Sequence, residues 1–343
     1  MTTDLLYRLL DVDPDSGPAE LLHRARGTHY QLPYLVLSAL ARDGARMGEP
    51  ARAELQRAQE RSRRYADLAA DLAAATGVRA IKGLQLAARY PADLLRPQGD
   101  LDLVAPDEAA LWRAVTRIAE QHPVENIDVT VFGVEPRHTM VVMFWPAEDP
   151  LVDPWFKVEI CTAALTGDFG CVPVRPVLHA PDHVECLIAL AEEGLQRPFR
   201  HRDVLDVRAL STAEFDPADT VAAVAAYRLA PEAADLLDFA ARYTPLGALA
   251  AVRAALEPEV TAEQCRRDRP PATIGAGRPE HGLFLRRVPV RPGWDSARVR
   301  SFGGGRLLLT PVADYLLTDR EVVSRARYDA ALAELDRDDR SRS

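Results

Sequence analysis

One stretch decides the fold: GDLDLV, at residues 99–104, alternates acidic and apolar side chains as a strand with one buried face does. Successive side chains of a strand point to opposite faces, so Asp100 and Asp102 project together while the intervening leucines enter the core. Two neighbouring carboxylates repel each other unless a cation lies between them. The pattern therefore predicts half of a cage for Mg²⁺, which prefers oxygen ligands and keeps positions for phosphate oxygens and water.

Extended and helical patterns alternate on both sides of this strand. Apolar spacing and stop signals predict helices and strands in a mixed order. The predicted helices cover residues 50–77, 84–90, 106–122 and much of 181–256, and the predicted strands cover 78–81, 127–134, 139–145, 155–162, 282–290 and 306–317. This order indicates an α+β fold, with a small mixed β-sheet surrounded by helices and a C-terminal helical and β extension.

The same pattern suggests three parts of the chain. Residues 1–77 are expected to form a helical segment that packs on the core, and residues 78–210 the core with its trailing helices. Residues 211–343 are expected to form a helical region followed by a small β-containing region.

Composition narrows the classes of function. The chain has 343 residues, 48% of them apolar, and a formal net charge of −9, which argues against a broad contact with nucleic-acid phosphates. A secretory signal and a membrane-spanning stretch are both missing from the sequence, so we expect a cytoplasmic protein. Its four cysteines are neither dense nor closely paired, which is typical of free thiols.

The lysines form a second signal. Of the 42 Lys and Arg residues, Lys82 and Lys157 are the two lysines, and both lie near predicted polar features. Lys82 and Gly83 form a turn before a helix start, where backbone N–H groups can meet phosphate oxygens. Lys157 and Glu159 share one face of a predicted strand, which adds a third carboxylate to the proposed site. An exposed ion pair of little energetic weight is the alternative interpretation of those two residues.

Several segments together resemble a known family. They are residues 81–83, 90–91, Arg96, 99–104, 158–161, 181–184 and 202–206. In combination they look like the signature of the uncharacterised nucleotidyltransferase family within the DNA polymerase β-like superfamily. Cys161 stands where that family commonly has a histidine, and a Lys-Gly turn stands where the superfamily usually has Gly-Ser or Gly-Gly.

The resemblance implies a reaction and a set of roles. It implies transfer of a nucleoside monophosphate from a triphosphate such as ATP to an acceptor, with pyrophosphate leaving. Asp100 and Asp102 would bind Mg²⁺, and Glu159 would bind a second metal ion or accept the proton of the acceptor. Lys82 and Arg96 would neutralise phosphate charge. The nucleotide-binding residues expected on this basis are Lys82, Gly83, Arg96, Gly99 and Lys157.

Three functions stay open at this point. The first is a nucleotidyltransferase that acts on a small molecule, a sugar phosphate or a peptide, with natural-product tailoring as one such role. The second is a toxin-like transferase that modifies RNA or a protein, although the acidic balance makes nucleic acid an unattractive partner. The third is a catalytically silent scaffold of the same fold. Asp128 and Asp153 are lesser candidates for the third carboxylate.

Overall fold

The structure is a computed structural model that describes residues 2–269, 277–303, 305–320 and 322–342. Thirteen α-helices and nine strands are assigned in these residues. The helices are α1 Thr3–Leu9, α2 Gly17–Thr28, α3 Leu32–Arg42, α4 Glu49–Thr76, α5 Gly83–Ala87, α6 Glu108–Gln121, α7 Asp182–Gln196, α8 His201–Leu210, α9 Pro217–Ala226, α10 Ala230–Ala241, α11 Leu249–Ala255, α12 Glu257–Arg267 and α13 Arg325–Arg342. The strands are β1 Arg79–Ala80, β2 Leu101–Val104, β3 Asn126–Phe132, β4 His138–Trp145, β5 Phe156–Cys161, β6 Glu280–Arg287, β7 Arg298–Phe302, β8 Gly305–Leu309 and β9 Ala313–Thr318.

The chain divides into two compact units. The first unit comprises Met1–Leu68, Ala80–Leu101 and Leu165–Ala272, and the second comprises Ala69–Arg79, Asp102–Ala164 and Thr273–Ser343. Helices dominate the first unit, in which α10 packs against α7, α8 and α12, and α2 packs against α3. Their contact faces are apolar and buried, as at Leu187, Ile188 and Leu236.

The second unit is built mainly on one nine-stranded sheet, whose strand order is β1-β2-β5-β4-β3-β6-β9-β8-β7. An α+β fold was predicted correctly, but the prediction of a small sheet was wrong. The C-terminal strands join the sheet because β6 pairs antiparallel with β3, which aligns Val131 with Glu280. Strand β9 then pairs with β6, so the sheet continues instead of ending at β3.

The middle of this sheet has one buried face and one half-buried face. Residues alternate between buried and half-buried along β4 and β5, as a strand with one covered face requires. Helix α6 contacts β4 and β5 and contributes the fully buried Trp112, Val115 and Ile118 to the core. Asp107 caps α6 by accepting a hydrogen bond from the N–H of Ala110 at 2.7 Å. Asp102 and Glu159 therefore lie on the opposite, half-buried face of the sheet.

Among the described residues, no helix is both long enough and apolar enough to cross a bilayer.

Candidate active site

Strands β2 and β5 are neighbours in the sheet and run in the same direction. Ala105, which directly follows β2, donates its N–H to the carbonyl oxygen of Cys161, the last residue of β5, at 2.8 Å. Both strands therefore end at the same edge. In a regular parallel ladder this hydrogen bond sets Ala105 opposite residue 162 and, three residues back, Asp102 opposite Glu159. Adjacent strands lie about 4.8 Å apart, so the two carboxylates belong to neighbouring positions on one face.

The row that contains Asp102 and Glu159 continues across the sheet. Glu159 aligns with Val142 of β4, and Val142 aligns with Asp128 of β3. Asp128 thus shares a face with Glu159 but is separated from it by one strand, or roughly 10 Å. Burial raises the pKa of Asp128. Asp153 lies in a turn before β5, where its N–H donates to the carbonyl oxygen of Asp149.

Lys157 accompanies Glu159 on the half-buried face of β5. The Lys157 Nζ lies 3.7 Å from Glu159 Oε2, and the two side chains are 33% and 31% exposed. This distance is too long for a strong hydrogen bond. A pair of this kind contributes little to folding, and it leaves Glu159 accessible to a bound cation.

In the first unit, Lys82 is held by Glu193 of α7. The Lys82 Nζ lies 2.8 Å from Glu193 Oε1, and Arg197 Nε lies 3.3 Å from Glu193 Oε2. Burial alone would raise the pKa of Glu193, but the Lys82 ammonium and the hydrogen bond from it, together with Arg197, lower this pKa to about 2. The backbone of Lys82 has a φ of +62°, a region that favours glycine and costs other residues roughly 1–3 kcal/mol. The lysine is therefore kept in a strained turn by its neighbours.

Arg96 takes part in a fully buried ion pair of the first unit. Its Nε and Nη2 donate to Asp206 Oδ1 and Oδ2, each at 2.8 Å, and Asp206 is 0% exposed. The hydroxyl of Tyr90 donates to Asp206 Oδ1 at 2.7 Å. This bidentate arrangement fixes the segment before β2 onto α8. In this geometry Arg96 is a positioning residue, since its fork is bonded to a protein carboxylate.

Gly99 lies close to the turn between α2 and α3 of the first unit. A Cβ at this position would overlap Gln31 Nε2 and lie 2.5 Å from the hydroxyl of Tyr30. The carbonyl oxygen of Gly99 accepts a hydrogen bond of 2.9 Å from the hydroxyl of Tyr65 in α4. A larger residue at this position would have to displace these two side chains, and the hydrogen bond from Tyr65 holds the backbone just ahead of Asp100, which is half-buried.

Gly83, the buried first residue of α5, lies against the side-chain amide of Gln98. A Cβ at Gly83 would lie 3.5 Å from Gln98 Nε2. The same Nε2 donates to the carbonyl oxygen of Asp100 at 3.3 Å. Gln98 Oε1 is buried and has no hydrogen-bond partner among the described residues. A buried carbonyl oxygen of this kind suits a ligand that brings a hydroxyl or amino group.

The donor set fits a hard divalent cation. Asp102 and Glu159 supply carboxylate oxygens at neighbouring strand positions, and Mg²⁺ is commonly held by one or two carboxylates plus substrate phosphates. Within the described ranges, no group of three or more His, Cys, Asp or Glu side chains is already gathered as a metal site.

Comparison with known proteins gives no family for this chain. No family model matches it, and no curated protein and no solved structure shows significant similarity to it. The nucleotidyltransferase resemblance therefore stays a prediction from the residues themselves.

Sequence reasoning gave no role to one half-buried carboxylate of α7 and one buried carboxylate of α8. Glu193 and Asp206 fix Lys82 and Arg96, respectively. A signal for Asp206 was present in the sequence, because it lies between Leu205 and Val207 in an apolar run. A charge in such a run is costly to bury and needs a cationic partner. The identity of its arginine partner was not predictable, because Arg96 and Asp206 are 110 positions apart in the sequence.

Proposed function

We propose that this protein is a magnesium-dependent nucleotidyltransferase that transfers a nucleoside monophosphate from a triphosphate to a small acceptor. The observation that carries the proposal is that β2 and β5 are neighbours that end at the same sheet edge, which in a regular parallel ladder sets Asp102 opposite Glu159. It is supported by the hydrogen bond from the N–H of Ala105 to the carbonyl oxygen of Cys161. Paired carboxylates at this spacing are suited to a metal ion that carries phosphate oxygens.

Each residue of the proposed site would have a separate role. Asp102 and Glu159 bind the cation, and Asp100, two residues before Asp102 in the sequence, is the predicted third ligand. Bound Mg²⁺ would neutralise phosphate charge and polarise the phosphorus that is attacked. Glu159 is also suited to accept the proton of the acceptor hydroxyl. Lys82 is the lysine that the sequence predicts to supply a point charge to a phosphate oxygen.

Pyrophosphate release tests the proposal. The purified protein is incubated with Mg²⁺, each of the four ribonucleoside triphosphates and a panel of hydroxyl-bearing acceptors. We expect release with at least one combination, and a loss of about a hundredfold or more in Asp102→Asn and Glu159→Gln, because each removes a metal ligand. Glu125→Gln, an exposed carboxylate between α6 and β3, is the matched control and should retain full activity.

The carboxylate variants also separate the alternatives. Asp128→Asn should have little effect, because one strand separates Asp128 from Glu159. Full activity in Asp102→Asn would refute the assignment. Absence of magnesium-dependent triphosphate binding would favour the silent scaffold, and retention on RNA that weakens steeply with salt would favour an RNA-modifying transferase.

A further inference from the structure

A pocket lined with arginines lies at one edge of the second unit's sheet. It is found where β3 ends and β6 and β8 begin, and its volume is about 550 Å³, which is suitable for a small ligand. Its basic lining residues are Arg137, Arg278, Arg306 and Arg327. None of these arginines belongs to the proposed nucleotide site, so the pocket requires its own explanation.

Glu280 orients two of the arginines. Its Oε2 accepts a hydrogen bond from Arg137 Nη2 at 2.5 Å, and its Oε1 accepts one from Arg306 Nη2. Glu280 is only 13% exposed, whereas both arginine side chains are 42% exposed. A guanidinium has five N–H donors, so one hydrogen bond to Glu280 uses a single donor of each group. The carboxylate thus fixes two cationic side chains at the pocket wall.

Two glycines of the pocket lining, Gly305 and Gly277, lie in close contact with neighbouring groups. Gly305 has a φ of +151°, and a Cβ there would lie 3.0 Å from Arg327 Nη2. The same Nη2 donates to the carbonyl oxygen of Leu317 at 3.3 Å. A Cβ at Gly277 would lie 3.1 Å from the Cα of Gly133. Backbone and guanidinium groups therefore approach one another in a way that larger residues would prevent.

The charge of the pocket points to an anion. Its described lining holds four arginines against two carboxylates, Glu280 and Asp319, which leaves a formal charge of +2. This contrasts with the net charge of −9 of the whole chain. Arg278 makes no hydrogen bond or ion pair with the described part of the chain. Planar guanidinium groups match the geometry of phosphate oxygens, and a phosphate monoester carries close to two negative charges at neutral pH.

We propose that this pocket binds the phosphate group of a small phosphorylated molecule, independently of the nucleotide site. Phosphate fits better than a carboxylate because it offers three oxygens and a second charge to the four arginines. Occupancy would then link the turn between β3 and β4, the segment before β6, strand β8 and helix α13 through one ligand.

Calorimetric titration with inorganic phosphate at about pH 7.5, where phosphate is mostly a dianion, tests the proposal. We expect saturable binding of phosphate and none of acetate at the same ionic strength. Arg278→Ala and Arg327→Gln should each weaken phosphate binding about tenfold or more, because each removes charge-assisted hydrogen bonds. Arg325→Gln is the matched control, since Arg325 lies on the same helix as Arg327, is 83% exposed and pairs with Asp329.

Glycerol phosphate should displace inorganic phosphate, as expected for a site that accepts a monoester. Indistinguishable heats for phosphate and acetate, unchanged affinity in Arg278→Ala, or failure of glycerol phosphate to compete would each overturn the proposal. If Arg327→Gln fails to fold, the Arg278→Ala variant decides alone. Asp102→Asn should bind phosphate normally, so failure of the proposed activity and failure of this pocket are distinguishable.

Discussion

Lys82 and Lys157 have different surroundings although both were predicted to contact phosphate. Lys82→Met should lower the free energy of unfolding by about 1–3 kcal/mol, because it leaves the half-buried Glu193 with Arg197 as its closest cation. The pKa of Glu193 should rise from about 2 towards its ordinary value of 4.5. Urea denaturation and NMR titration of the carboxyl measure both effects.

Lys157→Met is the matched control. Its ammonium is 3.7 Å from Glu159 and about a third exposed, so the cost in stability should stay below roughly 1 kcal/mol. Equal destabilisation by the two substitutions would contradict a specific positioning of Lys82 by Glu193. Both substitutions should weaken triphosphate binding if the proposed function holds.

Arg96 should behave as a structural residue in mutational tests. Arg96→Met leaves the carboxylate of Asp206 buried with the hydroxyl of Tyr90 as its one hydrogen-bond donor among the described residues, so we expect a loss of about 3–5 kcal/mol in unfolding free energy. The double variant Arg96→Met with Asp206→Leu should regain part of that loss, because no unpaired charge then stays buried. An Arg96→Met variant of normal stability that no longer binds triphosphate would contradict this role.

At the scale of elements, α13 is held to the C-terminal strands by a small apolar cluster. Leu335 is 1% exposed and packs with Leu285, Leu307 and Leu316. Leu335→Ala should therefore cost about 2–5 kcal/mol of stability through lost burial and a cavity. Leu332→Ala, which truncates a partly buried neighbour on the same helix, should cost less. Equal unfolding midpoints in urea for Leu335→Ala and the unmodified protein would show that α13 does not pack on these strands.

At the scale of the whole molecule, ion pairs make the free energy of unfolding depend on pH. The folded-state pKa of Glu193, about 2, lies below its ordinary value of 4.5. Its contribution to stability is therefore present above about pH 4.5 and is lost as the pH falls towards 2. Hydrogen bonds from Arg42 and Arg253 likewise lower the pKa values of Asp43 and Asp238. The unfolding free energy should accordingly decline below about pH 4.5.

Urea midpoints measured between pH 7 and pH 3 test this acid dependence. Glu193→Gln should show a shallower decline than the unmodified protein, because it removes the group with the largest of these shifts. Glu125→Gln, at an exposed position, should follow the unmodified curve. Parallel curves for all three proteins would contradict the role given to Glu193.

Local patterns were sufficient for most elements around the candidate site. The alternation of GDLDLV predicted β2 at residues 101–104, and the stop at Gly77 agrees with the end of α4 at Thr76. Long-range pairing was not predictable. The stretch 306–317 was read as one strand, but it forms β8 and β9, and β7 was missed. The extent of the sheet depends on β6 joining β3, which no local pattern encodes.

In the candidate site, too, local patterns were predictable and long-range contacts were not. Strand alternation predicted that Lys157 and Glu159 share a face, and both are half-buried in β5. The register that sets Asp102 beside Glu159 comes from a contact between Ala105 and Cys161, which are distant in sequence. The partners of Lys82 and Arg96 are likewise more than 100 residues away. Such partners are selected by packing of the folded chain, so periodicity alone does not identify them.

Calorimetric titration of magnesium with a non-hydrolysable nucleoside triphosphate tests the central claim most directly. The unmodified protein should bind at least one of the four triphosphates, and chelation of magnesium should abolish this binding. Asp102→Asn and Glu159→Gln should each weaken it about tenfold or more, because each removes an oxygen ligand from the cation. Binding that is independent of magnesium, or equally strong in both variants, would contradict the account.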